Sequence, residues 1–262
     1  MLKALFHGQL QLGLAQAAAA ALAALVIVIM AGRRGIHLEK DLAIAMVRGL
    51  VQIVAVGSIL LLLLRGPSWT SVFLLTAMIV AAGATSAKRA KGMPGAFEVS
   101  TWAIACGAGL MIAIMTLLGV IDTPITSLVP IGSMMIANAM NTNGLALNRF
   151  RSDVLAHVGE IETALALGAD GKTSVSPYVQ VSFEASLIPA IDSLRSLGIV
   201  WIPGLMAGML LSGARPVYAA IYQFVLLAMI FASSGLTSLV STLLIRSRVM
   251  TPADQLILRP GQ

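Results

Sequence analysis

The side chains of this sequence that could carry chemistry are charged or polar groups set inside long apolar runs. Arg48 interrupts the run 42–64, and Asp192 and Arg195 lie in the run 187–211. A charge at the centre of a membrane-spanning helix costs about 2.5–3.5 kcal/mol on insertion scales, so each one needs a partner or a role. Asp192 and Arg195 are three residues apart and can pair on one helix. With Arg48, we expect them to form either a neutralised structural clamp or a gate.

A second polar pattern begins in the run 129–147. Five residues there follow helical spacing and share one face: Met134, Asn138, Asn141, Leu145 and Asn148. A polar stripe on a spanning helix either packs against other helices or lines a water-filled path, and both uses stay open. The candidates for a path are Met134, Asn138, Asn141 and, in another run, Gln52.

The sequence identifies no metal site, so the metal-ligating residues are unknown. Thioether sulfur suits Cu(I) better than iron, and the fourteen methionines are scattered as packing residues are. None of His7, His37 and His157 lies centrally in an apolar run. Cys106 is the single cysteine, so the chain has no internal disulfide.

Membrane-spanning helices must position these groups. Of the 262 residues, 58% are hydrophobic and 11% charged, with a mean hydropathy of +0.93, whereas about 25% are charged in an ordinary soluble domain. A span needs about 20 apolar residues. Seven runs qualify: 10–31, 42–64, 68–87, 98–120, 129–147, 187–211 and 217–245. We predict a single all-α integral membrane domain over residues 1–262, which excludes soluble enzymes, nucleic-acid-binding proteins and disulfide-rich secreted modules.

The loop charges predict the orientation of the bundle. Lys and Arg number one, three, one, three, none, three, one and three in successive connections from the N-terminus to the C-terminal tail. Because cytoplasmic loops retain positive charge, this alternation predicts seven spans with the N-terminus outside and the C-terminus inside the bacterial inner membrane. A signal peptide is the alternative for the first run, but the run is too long, and Arg33 and Arg34 favour a reversed anchor.

One connection, residues 149–186, is long enough to serve a partner in the cytoplasm. Its first half predicts a helix from Ser152, a suitable N-cap, to Gly168, which suits a left-handed helix end. Between them there is no Lys or Arg, unlike a helix that lies on a membrane surface. The stretch Glu162–Gly168 resembles the Glu-Ala-Ala, three residues, Gly signature in the cytoplasmic loop of ABC-transporter permeases.

That resemblance implies a short helix that docks in a groove of a separate ATPase subunit. The residues it assigns to coupling are Glu160, Glu162, Ala164, Leu165 and Gly168. Gly171-Lys-Thr173 is not a nucleotide-binding loop, because the Walker A motif requires glycine at position 166, which is alanine. We therefore expect no cofactor in this chain, and ATP and magnesium in the partner subunit.

The run 187–211 is predicted to be kinked or broken. Pro189 lies near its start, and Pro203-Gly204 near its middle removes a backbone donor. Gly204 and Gly208 form a Gly-x-x-x-Gly pair that lets a second backbone approach closely. The approaching backbone belongs either to the same chain or to a second copy across a two-fold axis.

Longer stretches resemble the FetB-type permease family. They are residues 38–41, 48–52, 129–140, 167–169, 187–192, 202–208 and 220–223, so the resemblance covers about residues 38–248, and 170–174 depart from the pattern. That family is associated with iron export in bacteria and includes the membrane partner of a plant ABC transporter linked to aluminium tolerance. The resemblance implies a homodimeric permease for iron or another metal, driven by a cytoplasmic ATPase. A non-metal cargo such as a nucleotide sugar, and an ion-coupled transporter using Asp192, are the alternatives.

Overall fold

The computed structural model describes residues 9–33, 39–63, 69–90, 92–251, 253 and 255–258. Within these ranges the chain is helical, and the strand-like pairings are two isolated bridges, Leu197 with Trp201 and Met250 with Leu256. Several residues used in the sequence predictions lie outside the described residues: Lys3, His7, Arg34, His37, Leu38, Leu64, Arg65, Lys91 and Arg259.

Ten α-helices and one π-helical segment follow in the described chain. They are α1 (Gln9–Gly32), α2 (Glu39–Leu63), α3 (Trp69–Arg89), α4 (Ala96–Ile104), the π segment (Ala105–Gly109), α5 (Leu110–Leu117), α6 (Ile125–Ala156), α7 (Val158–Ala166), α8 (Gly171–Ser196), α9 (Gly204–Leu211) and α10 (Pro216–Arg248). Pro216 occupies the first turn of α10, where its missing N–H costs no helical hydrogen bond, and Arg246 and Arg248 lie in the last turn, where the helix dipole favours cations.

The chain divides into two compact units, Met1–Gly66 and Pro67–Gln262. In the first unit, α1 and α2 line a shared cleft with small residues, among them Ala17 and Ala21 on α1 and Gly49 on α2. In the second unit, α6 and α10 contact each other and both contact α8, while α3 contacts α4 and α6.

Two apolar clusters form the core of the second unit. One joins α3, α6 and α10 through residues such as Leu75, Met135 and Leu226. The other holds Phe150 of α6, Ile161 of α7 and the start of α8 together. The second cluster therefore fixes α7 to the two long helices on either side of it in sequence.

Helix α10 also packs closely against the π segment. Gly107 is buried there, and a Cβ atom at this position would overlap Thr237 Oγ1 and lie 2.7 Å from the carbonyl oxygen of Ser233. Small and hydroxyl side chains allow such close approach between helices in a membrane. The sequence did not predict this interruption of the run 98–120.

Four helical stretches of the described chain are long and apolar enough to cross a membrane: Gln11–Met30, Trp69–Arg89, Ala96–Leu117 and Pro216–Arg248. Helix α2 adds a shorter apolar stretch, Leu42–Ser58. These match five of the predicted runs. The run 129–147 lies in the more polar helix α6, and the run 187–211 is divided between the end of α8 and the short helix α9. The all-helical membrane fold is confirmed, and the count of seven spans stays a prediction.

The predicted start of the cytoplasmic helix at Ser152 is wrong. Helix α6 continues through Ser152 to Ala156, because Phe150 and Val154 extend its buried face. The chain leaves helical geometry at His157, which has φ −119° and ψ 27° and precedes α7. Gly168 follows α7 with φ +92°, as predicted.

The segment 149–186 is not an independent loop. Its ends belong to α6 and α8, and α8 continues through Pro189 to Ser196. Asp170 caps α8 by accepting a hydrogen bond from the Thr173 backbone N–H at 3.1 Å. The predicted break near Pro203 is confirmed, because the chain is non-helical between Ser196 and Gly204.

Candidate functional site

The predicted stripe on α6 does share one face. Met134, Asn138, Asn141, Leu145 and Asn148 are all exposed, whereas the intervening Met135, Ala139, Thr142, Asn143, Ala146 and Leu147 are buried. Asn138 Nδ2 donates to the Met134 carbonyl oxygen at 2.8 Å. Arg89 Nη1 of α3 donates to Asn141 Oδ1 at 3.3 Å. The stripe is thus a polar surface that the described part of the second unit leaves largely uncovered.

Other polar residues of α6 hold helices together. Asn143 is fully buried, and its Nδ2 donates to Ser86 Oγ of α3 at 2.7 Å. A buried amide bonded across two helices stabilises their register. The polar residues of this helix therefore form two groups. Asn143 packs against α3, and the asparagines of the stripe lie on the exposed face.

Asp192 and Arg195 lie together on α8. Arg195 Nη1 is 3.8 Å from Asp192 Oδ1, and the two side chains are 77% and 61% exposed, Arg195 first. At this distance and exposure the pair contributes little stability. The predicted pairing of these two residues is confirmed, and both charges face away from the core of the second unit.

Arg48 and Gln52 are exposed one turn apart on α2, in the first unit. A cluster of Arg48 with Asp192 and Arg195 would join the two units, so it stays a prediction. In the described ranges, no group of three His, Cys, Asp or Glu residues is placed to hold a metal ion.

Helix α7 has a fixed side and a free side. Ile161 is buried, and Ala164 and Leu165 are half-buried. Glu160 is exposed, and its Oε2 accepts a hydrogen bond from the Tyr178 hydroxyl of α8 at 3.2 Å, so this predicted coupling residue is tied to α8. Glu162 is also exposed, and it has no such bond within the described chain.

Tyr178 of α8 contacts both α7 and the end of α6, and no pattern in the sequence indicated it. Its ring stacks on His157 with centroids 5.1 Å apart, and His157 is the residue at which α6 ends. Burial, and next the hydrogen bond to Glu160, raise the pKa of Tyr178 above its usual 10.0, so the phenol remains a donor at neutral pH. No spacing rule predicts this contact, because the partners lie on different helices.

Asp170 stands at the junction between α7 and α8. Hydrogen bonds to Thr173 lower its pKa below the usual 3.8. The stability that this cap gives is therefore present above about pH 4 and is lost as the pH falls through the lowered pKa. The residues 170–174, which resemble a nucleotide loop in part, serve instead as a helix start.

The two glycines that were predicted to allow close approach of a second backbone have empty space beside them. Pro203 is buried and precedes α9, and a Cβ atom at Gly204 or Gly208 would meet nothing within 4 Å. The described chain therefore leaves this face of α9 without a packed backbone.

The helical membrane fold agrees with the comparison to known families. The profile of the uncharacterised protein family UPF0014 matches residues 14–250. The chain belongs to the UPF0014 family. No solved structure matches it.

Curated UPF0014 relatives cover nearly the whole chain. The probable iron export permease protein FetB of Escherichia coli strain K12 is 30% identical over 88% of this chain and 90% of its own length. The UPF0014 membrane protein STAR2 of Oryza sativa is 29% identical over 96% and 88%, and the protein ALUMINUM SENSITIVE 3 of Arabidopsis thaliana is 29% identical over 93% and 90%. The FetB-type resemblance is thereby confirmed, and the relatives include a named membrane permease.

Proposed function

We propose that this UPF0014 chain is the permease subunit of an ABC transporter. In this proposal two copies form a pathway through the bacterial inner membrane, and a separate cytoplasmic subunit binds ATP and magnesium. The observation that carries the proposal is the two-sided α7, which is anchored by Ile161 and exposed at Glu162. The name of the FetB relative supports the permease role.

The free side of α7 is suited to docking in a groove. It presents Glu162, Thr163, Ala166 and the following Leu167, whose side chain is 84% exposed. An exposed leucine beside a carboxylate fits a partner groove that has an apolar floor and a basic rim, as in helix-in-groove recognition. Glu162 and Leu167 are therefore the contacts that we assign to the ATPase.

Short connections pass a movement of α7 to the pathway. His157 alone separates α7 from α6, and residues 167–170 separate it from α8. The 32 residues of α6 make a rod about 48 Å long. A push on α7 would thus tilt α6, which carries the asparagine stripe, and α8, which carries Asp192 and Arg195.

The proposed transporter has seven spans, with the N-terminus outside and α7 in the cytoplasm. The loop charges support this orientation. The open face at Gly204 and Gly208 is a surface on which a second copy can pack closely. The exposed stripe at Asn138 and Asn141 would then line a pathway between the copies.

Iron or another metal is the cargo that we propose, because the FetB relative is named an iron export permease. In this proposal the stripe supplies carbonyl oxygen ligands from Asn138 and Asn141. Weak, exchangeable ligands of this kind suit passage rather than storage.

The test is coupled ATP hydrolysis. The full chain is reconstituted in liposomes with a candidate ABC ATPase from the same genome, and hydrolysis is measured with Fe²⁺, Al³⁺, a nucleotide sugar or no addition. We expect Fe²⁺ to stimulate hydrolysis, and a paired Glu162→Lys and Leu167→Asp variant to lose the stimulation at least 10-fold. Glu184→Lys, a charge reversal at an exposed position of α8, is the matched control and should retain it.

Three results would contradict parts of this proposal. Stimulation by a nucleotide sugar alone would assign a non-metal cargo. Transport without any ATPase, abolished by Asp192→Asn, would assign an ion-coupled mechanism. Full stimulation in the Glu162 and Leu167 variant would remove α7 from the docking surface.

A further inference from the structure

Three basic side chains surround one pocket in the second unit, at the end of α3. Lys88 and Arg89 occupy the last turn of α3, and Arg151 approaches from α6. Gly144, Leu145 and Asn148 complete the lining of a cavity of about 410 Å³. A cavity of this volume accommodates a small ligand or a headgroup.

The positive charge of this pocket is uncompensated within the described residues. Their salt bridges join Arg149 to Asp153, Arg195 to Asp192 and Arg248 to Glu98, so none involves the three basic residues of the pocket. The Nε atom of Arg151 is buried and has no hydrogen-bond partner in the described chain. A buried guanidinium donor without a partner is costly, and an anion in the pocket would offset the positive charge of the Arg151 guanidinium.

The pocket is held in shape by its neighbours. The hydrogen bond from Arg89 to Asn141 orients the guanidinium, and the aliphatic part of Arg89 lies over Gly144, where a Cβ atom would come within 2.9 Å of Arg89 Cδ. The buried bond between Asn143 and Ser86 ties α3 to α6 close by. The basic groups are therefore brought together by packing.

We propose that this pocket binds a phosphate group, supplied by the headgroup of an anionic membrane lipid. Lys and Arg are the side chains that bind phosphate oxygens most strongly, and Arg can do so with two parallel hydrogen bonds. The pocket lies where the apolar stretch Trp69–Arg89 ends, at the expected level of lipid headgroups. Leu145, 43% exposed, provides an apolar wall for the start of an acyl chain.

This inference does not depend on the transporter proposal, because it requires only that the chain lies in a membrane. Basic pockets between membrane helices are a recurring way to hold anionic headgroups. The lipid would bridge α3 and α6 and so bias the position of the helix that carries the asparagine stripe.

The test measures binding of fluorescent phosphatidylglycerol to the full chain in detergent. We expect unlabelled phosphatidylglycerol to compete and phosphatidylcholine not to. Near a membrane surface each basic residue contributes enough attraction that Lys88→Gln should weaken binding about 5-fold, and Lys88→Gln with Arg151→Gln about 30-fold. Arg215→Gln removes an exposed arginine outside this pocket and should change binding less than 2-fold.

The controls distinguish a lipid site from unspecific charge attraction, a free-phosphate site and a protein-binding site. Equal binding by wild type and Lys88→Gln would overturn the proposal, and this exposed substitution gives a result even where the double variant fails to fold. A loss in Arg215→Gln similar to that in Lys88→Gln would show unspecific charge attraction. Competition by inorganic phosphate as strong as by the lipid would overturn the lipid source in favour of free phosphate. Loss of ATPase co-purification in the double variant, with lipid binding kept, would assign the pocket to a protein partner instead.

Discussion

At the scale of single residues, Tyr178 determines how firmly the proposed coupling helix α7 is attached. Its hydroxyl donates to Glu160 and its ring stacks on His157, so one side chain on α8 contacts both α7 and the end of α6. We expect Tyr178→Phe to keep the stacking and lose the hydrogen bond. The loss should lower the free energy of local opening of α7 by about 1 kcal/mol, because a partly exposed bond to a carboxylate is weakened by water.

Hydrogen–deuterium exchange of residues 158–168 measures this effect. Exchange should speed up about 5-fold in Tyr178→Phe, as expected for a change of about 1 kcal/mol. The matched control is Glu162→Gln, whose exposed side chain has no hydrogen bond within the described chain, and its exchange should equal that of wild type. Unchanged exchange in Tyr178→Phe would mean that the apolar packing of Ile161 and Leu165 holds α7 without this hydrogen bond.

The sequence predicted the exposed or buried character of α6 better than that of α7. Helical spacing placed Met134, Asn138 and Asn141 on one face, and the structure has them exposed together. Spacing could not predict that Glu160 is hydrogen-bonded and Glu162 is not, because the partner of Glu160 belongs to another helix. Pairings between helices depend on tertiary packing, which no local pattern encodes.

At the scale of elements, the π segment and α10 pack closely against each other at Gly107. We expect Gly107→Ala to destabilise the protein by about 1–3 kcal/mol, because its methyl group would overlap Thr237 and crowd the backbone of Ser233. Thermal unfolding of the detergent-solubilised full chain measures the loss.

Gly235→Ala on α10 is the matched control for that experiment. A Cβ atom at Gly235 would meet nothing within 4 Å, so this variant should unfold at or slightly above the wild-type temperature. Adding Thr237→Ala to Gly107→Ala should restore part of the lost stability, since the two sites share one contact. Equal unfolding temperatures for Gly107→Ala and Gly235→Ala would show that the two helices can move apart at little cost.

Helix boundaries were predicted well where a single residue constrains the local backbone conformation. They were predicted poorly where the burial of side chains determines how far a helix extends. Gly168 and Pro203 mark real helix ends, because a left-handed residue and a missing N–H act locally. Ser152 was predicted to start a helix, but burying Phe150 and Val154 carries α6 past it. Likewise α8 tolerates Pro189 because packing against α6 and α10 outweighs one missing hydrogen bond.

At the scale of the whole molecule, the proposed transport mechanism requires α7 to face the cytoplasm. The connection after α5 carries no Lys or Arg, while the segment around α7 lies between basic residues such as Arg149 and Lys172. Single cysteines introduced at exposed positions in a Cys106→Ser background report the two sides. We expect Thr123→Cys to react with a membrane-impermeant thiol reagent in intact cells, and Leu167→Cys to react only in inverted membranes.

The two cysteines control for each other, because each is exposed and each should be labelled in one preparation only. Labelling of Leu167→Cys from outside would place α7 where no ATP-hydrolysing subunit can reach it, so the docking proposal would fail together with the orientation. Labelling of both residues from one side would mean an even number of crossings between them. That outcome would leave α6 outside the bilayer core, and its exposed asparagines could then line no path through the membrane.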